Sequence, residues 1–275
     1  MKTIPLNFIN AVMIIGERLP DGTESWDGSA FVIKKKAVKP LLKDAYYLIT
    51  NKHCVEYKTD LLVRCSFFKK DASSDFTINL VDENGKLNYS PHPNPEIDVV
   101  AIMLDEKNLD DPYGLGYFDL DVQSLTLNQM MALNIYEGAP IYAMGFPIDL
   151  IGEIKSPTCV SGCISKILDT YFDKSLEDDS YLADVRTYPG HSGGPIICMA
   201  ETDSSHSVQP KLIGILKGPI LYEDDVLDEH LRPTGKRELV SSRLTQVFPV
   251  DDIIEVVDLE WRRHNSNNGA IAKTA

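Results

Sequence analysis

The sequence predicts an all-β protein, a sandwich or barrel rather than a βαβ architecture. Three observations carry that expectation. Short strand-like runs separated by turn residues recur along the chain, long amphipathic helical patterns are nearly absent, and one polar stretch divides the strands into two groups.

The elements follow in order. The amino terminus, MKTIPLNFINAVMIIGE, looks superficially like a signal peptide. Pro5, Asn7 and Asn10 interrupt its apolar run and no small-residue cleavage site follows, so residues 8–15 are expected to be a strand entering the fold. Residues 29–34 (SAFVIK), 46–50 (YYLIT), 61–68 (LLVRCSFF), 76–81 (FTINLV) and 98–104 (DVVAIML) complete the first group, with turn chemistry at 21–22 (DG) and 83–85 (ENG). Residues 105–136 are polar and lack alternation, which suits a connector with room for a short helix. A second group comprises 140–145 (PIYAMG), 159–168 (CVSGCISKIL), 182–187 (LADVRT), 195–199 (PIICM) and 211–217 (KLIGILK). Only 250–261 (VDDIIEVVDLEW) has clear helical spacing: Val250, Ile253, Ile254, Val257 and Trp261 make one apolar stripe. The polar tail that follows is expected to be disordered.

A chain of 275 residues accommodates one large β unit or two domains sharing a cleft. Its 41 acidic and 27 basic residues give a net charge of −14, which argues against a nucleic-acid partner. No stretch approaches the roughly 18 apolar residues of a membrane span. The acidic runs 177–179 and 223–229 read as solvated loops before they read as docking surfaces. Five scattered cysteines (54, 65, 159, 163 and 198), without a secretion signal, point to reduced thiols and a cytoplasmic location. Cys159 and Cys163 lack a second ligand pair for zinc, so neither a metal nor a cofactor is expected.

Three places carry chemistry. Residues 188–198 (YPGHSGGPIIC) set Ser192 among glycines and prolines. That is either a tight turn or a nucleophile held by backbone shaped to present amide N–H groups to an oxyanion. Of the six histidines, His92, His206, His230 and His264 fall in polar loops or the tail, where a solvated imidazole is the default. His53 instead follows an apolar strand where the chain leaves the sheet, a position that alone is more often structural. Asp98 opens an otherwise apolar strand. A buried carboxylate there needs a hydrogen-bond partner, such as a histidine N–H, unless it caps a turn after NPEI.

Taken together, in the order His, Asp, Ser, these motifs resemble the chymotrypsin-like (trypsin-fold) serine peptidases. Thr50-Asn51-Lys52-His53-Cys54-Val55 is similar to that family's Thr-Asn-x-His-Val. Asp98-Val99-Val100-Ala101-Ile102 is similar to its Asp-hydrophobic-Ala pattern with one extra residue, and Gly190 to Pro195 meets Gly-x-Ser-Gly-Gly-Pro. GSAFVIK at 28–34, GAPIYAMGFP at 138–147 and Asp184, eight residues before the serine, resemble the bacterial HtrA-like branch. LIGILKG at 212–218 resembles the strand lining the primary specificity pocket, and FPVDDIIEVV the closing helix. The resemblance covers roughly residues 8–260.

The resemblance implies two six-stranded antiparallel β-barrels with the active site between them and a C-terminal helix. The expected divisions are an N-terminal barrel at 1–120 carrying His53 and Asp98, a C-terminal barrel with its helix at 121–262 carrying Ser192, and a disordered tail at 263–275. It implies that His53 is general base to Ser192, that Asp98 fixes the imidazole, and that the N–H groups of Gly190 and Ser192 form the oxyanion hole. Arg186, Thr187, Tyr188, Lys217 and Gly218 would line the specificity pocket. Arg186 facing inward would favour an acidic residue before the scissile bond; facing solvent, or pairing with Asp184, it would decide nothing.

Departures from the family pattern also carry expectations. Residues 28–33 hold no cysteine to pair with Cys54, so that residue is expected to be a buried free thiol. His191 stands where zymogen-forming members have aspartate, which argues against activation by a new amino terminus. Adjacent side chains on a turn point apart, so His53 rather than His191 is the candidate base. About a dozen residues follow the helix, too few for the branch's PDZ module. The expectation is a cytoplasmic serine endopeptidase making limited, regulated cuts in a protein or peptide substrate, such as a dedicated partner protein, with the acidic loop 221–230 helping recognition. Neither nucleic acid nor membrane is an expected partner, and the oligomeric state is left open. The alternative is a catalytically silent trypsin-fold module that binds protein.

Overall fold

The structure, a computed structural model, describes residues 3–37, 44–65, 75–105, 115–148, 156–173, 179–201 and 208–271. Residues 66–68 of the expected strand 61–68, positions 106–114 of the connector, 177 and 178 of the first acidic run, and His206 lie outside them.

The chain is mostly β, in two curled sheets. The N-terminal sheet contains β1 (Val12–Arg18), β2 (Glu24–Lys35), β3 (Ala45–Thr50), β4 (Asp60–Cys65), β5 (Asp75–Asn79), β6 (Ser90–Pro91) and β7 (Val100–Met103). Their order is β5-β4-β1-β2-β3-β7-β6, and β8 (Phe118–Asp119) pairs with β2. This sheet holds eight strands rather than six, and no pairing among the described residues closes it. The C-terminal sheet does close, in the order β10-β11-β14-β13-β12-β9. Its strands are β9 (Pro140–Gly145), β10 (Thr158–Lys166), β11 (Tyr181–Val185), β12 (Pro195–Glu201), β13 (Val208–Leu227) and β14 (Pro233–Pro249).

The expected first strand begins as a helical turn, α1 (Leu6–Ile9), which seats Phe8 against Phe118 with ring centroids 4.5 Å apart. Pro5, with φ fixed near the helical value, is compatible with that start. In the connector, α2 (Leu127–Ala132) is capped by Thr126, whose hydroxyl accepts from Gln129 N–H while the Gln129 side chain accepts from Thr126 N–H. A third short helix, α3 (Leu168–Phe172), follows β10.

Two readings of the sequence are corrected. The acidic segment 221–230 is not an isolated loop: β13 and β14 extend past the barrel as a two-stranded ribbon, in which Leu221 pairs with Ser241 and Asp225 with Arg237. Its strands alternate no apolar face because neither packs on a core. The closing helix, α4 (Val250–Ile271), continues well past residue 261 into the segment expected to be disordered. The tail does not lose its structure at 262 because polar contacts hold the helix where the apolar stripe ends. Buried Glu260 accepts from Ser90 Oγ at 2.7 Å and from Arg263 at 2.8 and 2.5 Å. Arg263 also donates to Leu87 O at 3.0 Å.

The stripe itself packs as expected, with Val250, Ile253 and Val257 fully buried. One core joins the two sheets under this helix and includes Phe31, Ile49, Ile197, Ile215 and Phe248. His92 is a third correction. It is buried rather than solvated, with Nε2 3.4 Å from Glu255 and 3.8 Å from Asp252 on α4. No helix among the described residues is long and apolar enough to cross a membrane.

Candidate active site

β3 ends at Thr50, and the chain turns through a short 3-10 segment, Lys52–Cys54. That turn brings His53 to Asp98, just before β7. The His53 N–H donates to Asp98 Oδ1 at 3.0 Å, and the ring Nδ1 lies 2.5 Å from Oδ2. Asn51 Nδ2 donates to the Asp98 carbonyl at 2.7 Å, fixing the backbone of the acid as well. The carboxylate is mostly buried and the imidazole half-exposed. Hydrogen bonding to Asp98, helped by Cys54, pushes the His53 pKa up to about 10. With the Nδ1 proton committed to Asp98, a neutral ring carries its lone pair on Nε2.

Ser192 lies just before β12, in the loop 188–194. In this loop the carbonyls of Tyr188, Pro189, Gly190, His191, Ser192 and Gly194 have partners. Pro189 O accepts from Ile148 N–H at 3.2 Å, and His191 O from Gly194 N–H at 3.0 Å. Gly190 O accepts from Ser29 Oγ at 2.6 Å, and Ser192 O from Ser29 N–H at 2.8 Å. The N–H groups of Tyr188, His191, Gly193 and Gly194 are likewise used, by His191 Nδ1, Tyr188 O, Leu216 O and His191 O. Two N–H groups have no acceptor among the described residues, those of Gly190 and Ser192. Backbone N–H groups otherwise pair almost without exception when buried, and buried Gly190 departs from that rule beside half-buried Ser192. Gly190 holds φ at 93°, and a Cβ there would strike the Phe146 carbonyl and the Ile148 side chain.

Gly193 packs against Ser29 O and Thr50 Oγ1, so the loop of the second sheet abuts the strand end that leads to His53. Ser192 Oγ lies beside Gly218, 3.9 Å from where a Cβ on that glycine would sit. Neither Ser192 Oγ nor His53 Nε2 has a hydrogen-bond partner among the described residues. A hydroxyl flanked by two free N–H donors and an imidazole oriented by a carboxylate are the groups that acyl transfer requires.

The neighbouring candidates divide. Arg186 is exposed, with its guanidinium 5.2 Å from the Tyr188 ring centre, and it has no ion pair with Asp184 among the described residues. Thr187 Oγ1 is 3.2 Å from Thr245 Oγ1, which ties the segment to β14. The Lys217 ammonium lies 5.4 Å from the Phe248 ring centre. His191 has no bond to Asp98 among the described residues; it is almost fully buried, with Nε2 2.9 Å from Thr158 Oγ1 and Nδ1 accepting from Tyr188 N–H. Burial lowers its pKa, so the ring is neutral and serves as a strut.

Cys54 is buried and free as expected, and a Cβ on Gly28 would come 2.8 Å from its Sγ. Cys159 and Cys163 lie four residues apart on β10, about 13 Å at strand rise, too far to share an ion. Sequence reasoning missed the roles of Ser29, Thr50 and Thr158, which carry no local signal and follow only from bonds to distant segments.

The profile of the trypsin-like peptidase domain family matches residues 28–202, a span that includes His53, Asp98 and Ser192. Among solved structures, the HtrA-type protease AlgW with a tripeptide aligns at a TM-score of 0.50 and 18% identity, over 92% of this chain and 62% of that one. The chain therefore spans less than two thirds of AlgW's length. The apo MamO protease domain from Magnetospirillum magneticum aligns at 0.48 and 13% identity, over 90% and 96%. At such identities the likeness to AlgW shows the fold alone. No curated protein matches the sequence.

Proposed function

The chain belongs to the family of trypsin-like peptidase domains, and on that premise we propose that it is a serine endopeptidase that cuts a protein substrate through an acyl-enzyme on Ser192. The observation that carries the reading is the pair of N–H donors without an acceptor among the described residues, Gly190 and Ser192, flanking the Ser192 hydroxyl, together with an imidazole already oriented by Asp98.

In the proposed reaction Ser192 Oγ attacks the scissile carbonyl and its proton passes to His53 Nε2. The carbonyl oxygen becomes an oxyanion between the two N–H groups. As the C–N bond breaks, His53 returns the proton to the leaving amine, and water then repeats the sequence to release the acid and restore Ser192. Asp98 holds the imidazole in the reactive tautomer throughout and stabilises its charged form.

Five free cysteines fit a compartment that keeps thiols reduced, and the proposal places the protein in the cytoplasm. A dedicated protein partner would meet the β13–β14 ribbon, which rises from Gly218 beside Ser192 and exposes Leu221, Tyr222 and Leu239. Arg186, exposed in the free protein, would favour an acidic side chain before the scissile bond only on swinging inward.

One observation favours the silent binding module instead: Nε2 of His53 and Oγ of Ser192 are each without a hydrogen bond. A fluorophosphonate probe separates the two readings. Labelling of the intact chain that disappears in Ser192→Ala supports the peptidase; an unlabelled wild type, with or without added protein partners, supports the binding module.

A further inference from the structure

Ser29 belongs to the N-terminal sheet, yet it uses its hydrogen-bonding capacity on the loop of the other sheet. It is fully buried in β2. Its Oγ donates to Gly190 O at 2.6 Å and accepts from Phe146 N–H at 2.9 Å, and its own N–H donates to Ser192 O at 2.8 Å. Thr50 Oγ1, three residues before His53, donates to Ser29 O at 2.8 Å. A buried hydroxyl placed in an apolar strand costs free energy unless both its roles are met, and here both are.

The consequence lies in peptide geometry. In a trans peptide the carbonyl and the next N–H point in opposite directions. Gly190, at φ 93°, is flanked by two peptides that glycine lets rotate readily. Ile148 holds the one before it through Pro189 O, and Ser29 holds the one after it through Gly190 O. With both pinned, Gly190 N–H is held opposite Pro189 O, and Ser29 fixes the peptide that leads from Gly190 toward Ser192. Losing the Ser29 hydroxyl would leave the second peptide held only through His191 N–H on Tyr188 O, and the buried Phe146 N–H without its acceptor.

We propose that Ser29 is a positioning residue for catalysis, the tie by which the N-terminal sheet keeps the Gly190 and Ser192 N–H groups convergent on the developing oxyanion. The proposal rests on the serine-peptidase reading of the site. It makes the oxyanion donors depend on how the two sheets dock, through one side chain that touches neither substrate nor nucleophile hydroxyl. A merely structural serine would change stability and leave turnover in the folded protein alone.

The test uses the full chain, with p-nitrophenyl butyrate as substrate, phenylboronic acid as a tetrahedral adduct former, and thermal unfolding of each variant. Removing an oxyanion donor outright costs roughly 10²–10³ in turnover, so loosening one predicts a fall of about 10- to 100-fold in kcat for Ser29→Ala. KM should stay within about twofold, because the donors act on the transition state, and boronate affinity should fall in step with kcat. Ser29→Cys, with a weaker donor in nearly the same volume, should fall between. A folded Ser29→Ala with wild-type kcat, or one whose boronate affinity is unchanged, overturns the proposal. Should Ser29→Ala not fold, Ser29→Cys decides by the same two readouts. A wild type that neither turns over ester nor labels at Ser192 instead removes the peptidase reading and this inference with it.

Discussion

His53 and Asp98 are joined twice, ring Nδ1 to Oδ2 at 2.5 Å and backbone N–H to Oδ1 at 3.0 Å. The carboxylate thus sets both where the imidazole sits and how tightly it holds a proton. A general base must be neutral, so activity should be lost as pH falls through the His53 pKa, which Asp98 raises toward 10. Asp98→Asn should move that acid limb down toward the ordinary imidazole value near 6.5. It should also lower kcat by about 10⁴, the cost of the wrong tautomer in a related triad. A pH–kcat/KM profile of both proteins on a small ester checks it; an unmoved limb would mean that another group sets it.

Gly190→Ala should cost turnover more than stability. The new Cβ meets the Phe146 carbonyl, and φ of 93° is unfavourable for alanine. The loop must shift, and with it one free N–H donor, so a kcat loss of about 10²-fold or more with a folded chain is expected. Steady-state kinetics beside circular dichroism reads both quantities.

His191 and His53 should act on stability with opposite signs. Buried His191 binds its proton more weakly folded than unfolded, so its contribution is present above about pH 6.5 and is lost on acidification. His53 binds more tightly folded, so its contribution is complete below about pH 6.5 and is lost as pH rises toward its folded value. Substituting His191→Gln should flatten the acid side of a melting temperature–pH curve, and His53→Gln the alkaline side.

Glu260 lies under α4 with Ser90 Oγ and Arg263 as donors. Glu260→Ala would leave the partly buried guanidinium and the serine hydroxyl without their acceptor, a loss of about 3 kcal/mol by analogy with other broken buried pairs. Chemical denaturation should register this as a lower midpoint. Unchanged stability would show that water replaces the carboxylate.

Among the described residues, the ribbon of β13 and β14 over 221–241 pairs only with itself. Replacing residues 221–241 with a two-residue turn should leave hydrolysis of a small ester within about twofold of wild type, since the pairs Ile215–Phe248 and Leu216–Val247 that close the barrel are untouched. A tenfold loss on the ester would instead show that the ribbon shapes the catalytic cleft.

Much of the fold was legible because alternation and turn residues are local signals. Thr50 to Val55, Asp98 to Ile102 and Gly190 to Pro195 stood out for the same reason: each motif is a few adjacent residues. The ribbon was not legible, since exposed strands need no apolar face. The continuation of α4 to Ile271 was hidden as well: the end of its apolar stripe at Trp261 looked like the end of the helix, and the acceptor for Arg263 became meaningful only once Ser90 was placed beside Glu260.

By itself the sequence determined a chemical inventory and its order, namely which hydroxyl, imidazole and carboxylate the chain carries and on which strand ends they ride. Only the tertiary structure decided that Ser29, more than 150 positions earlier, holds the carbonyls of Gly190 and Ser192. It decided too that Arg186 lies over Tyr188 in solvent, and that His191 is a buried strut. Hydrogen bonds between distant segments depend on where packing brings their backbones, and no local pattern of residues encodes that.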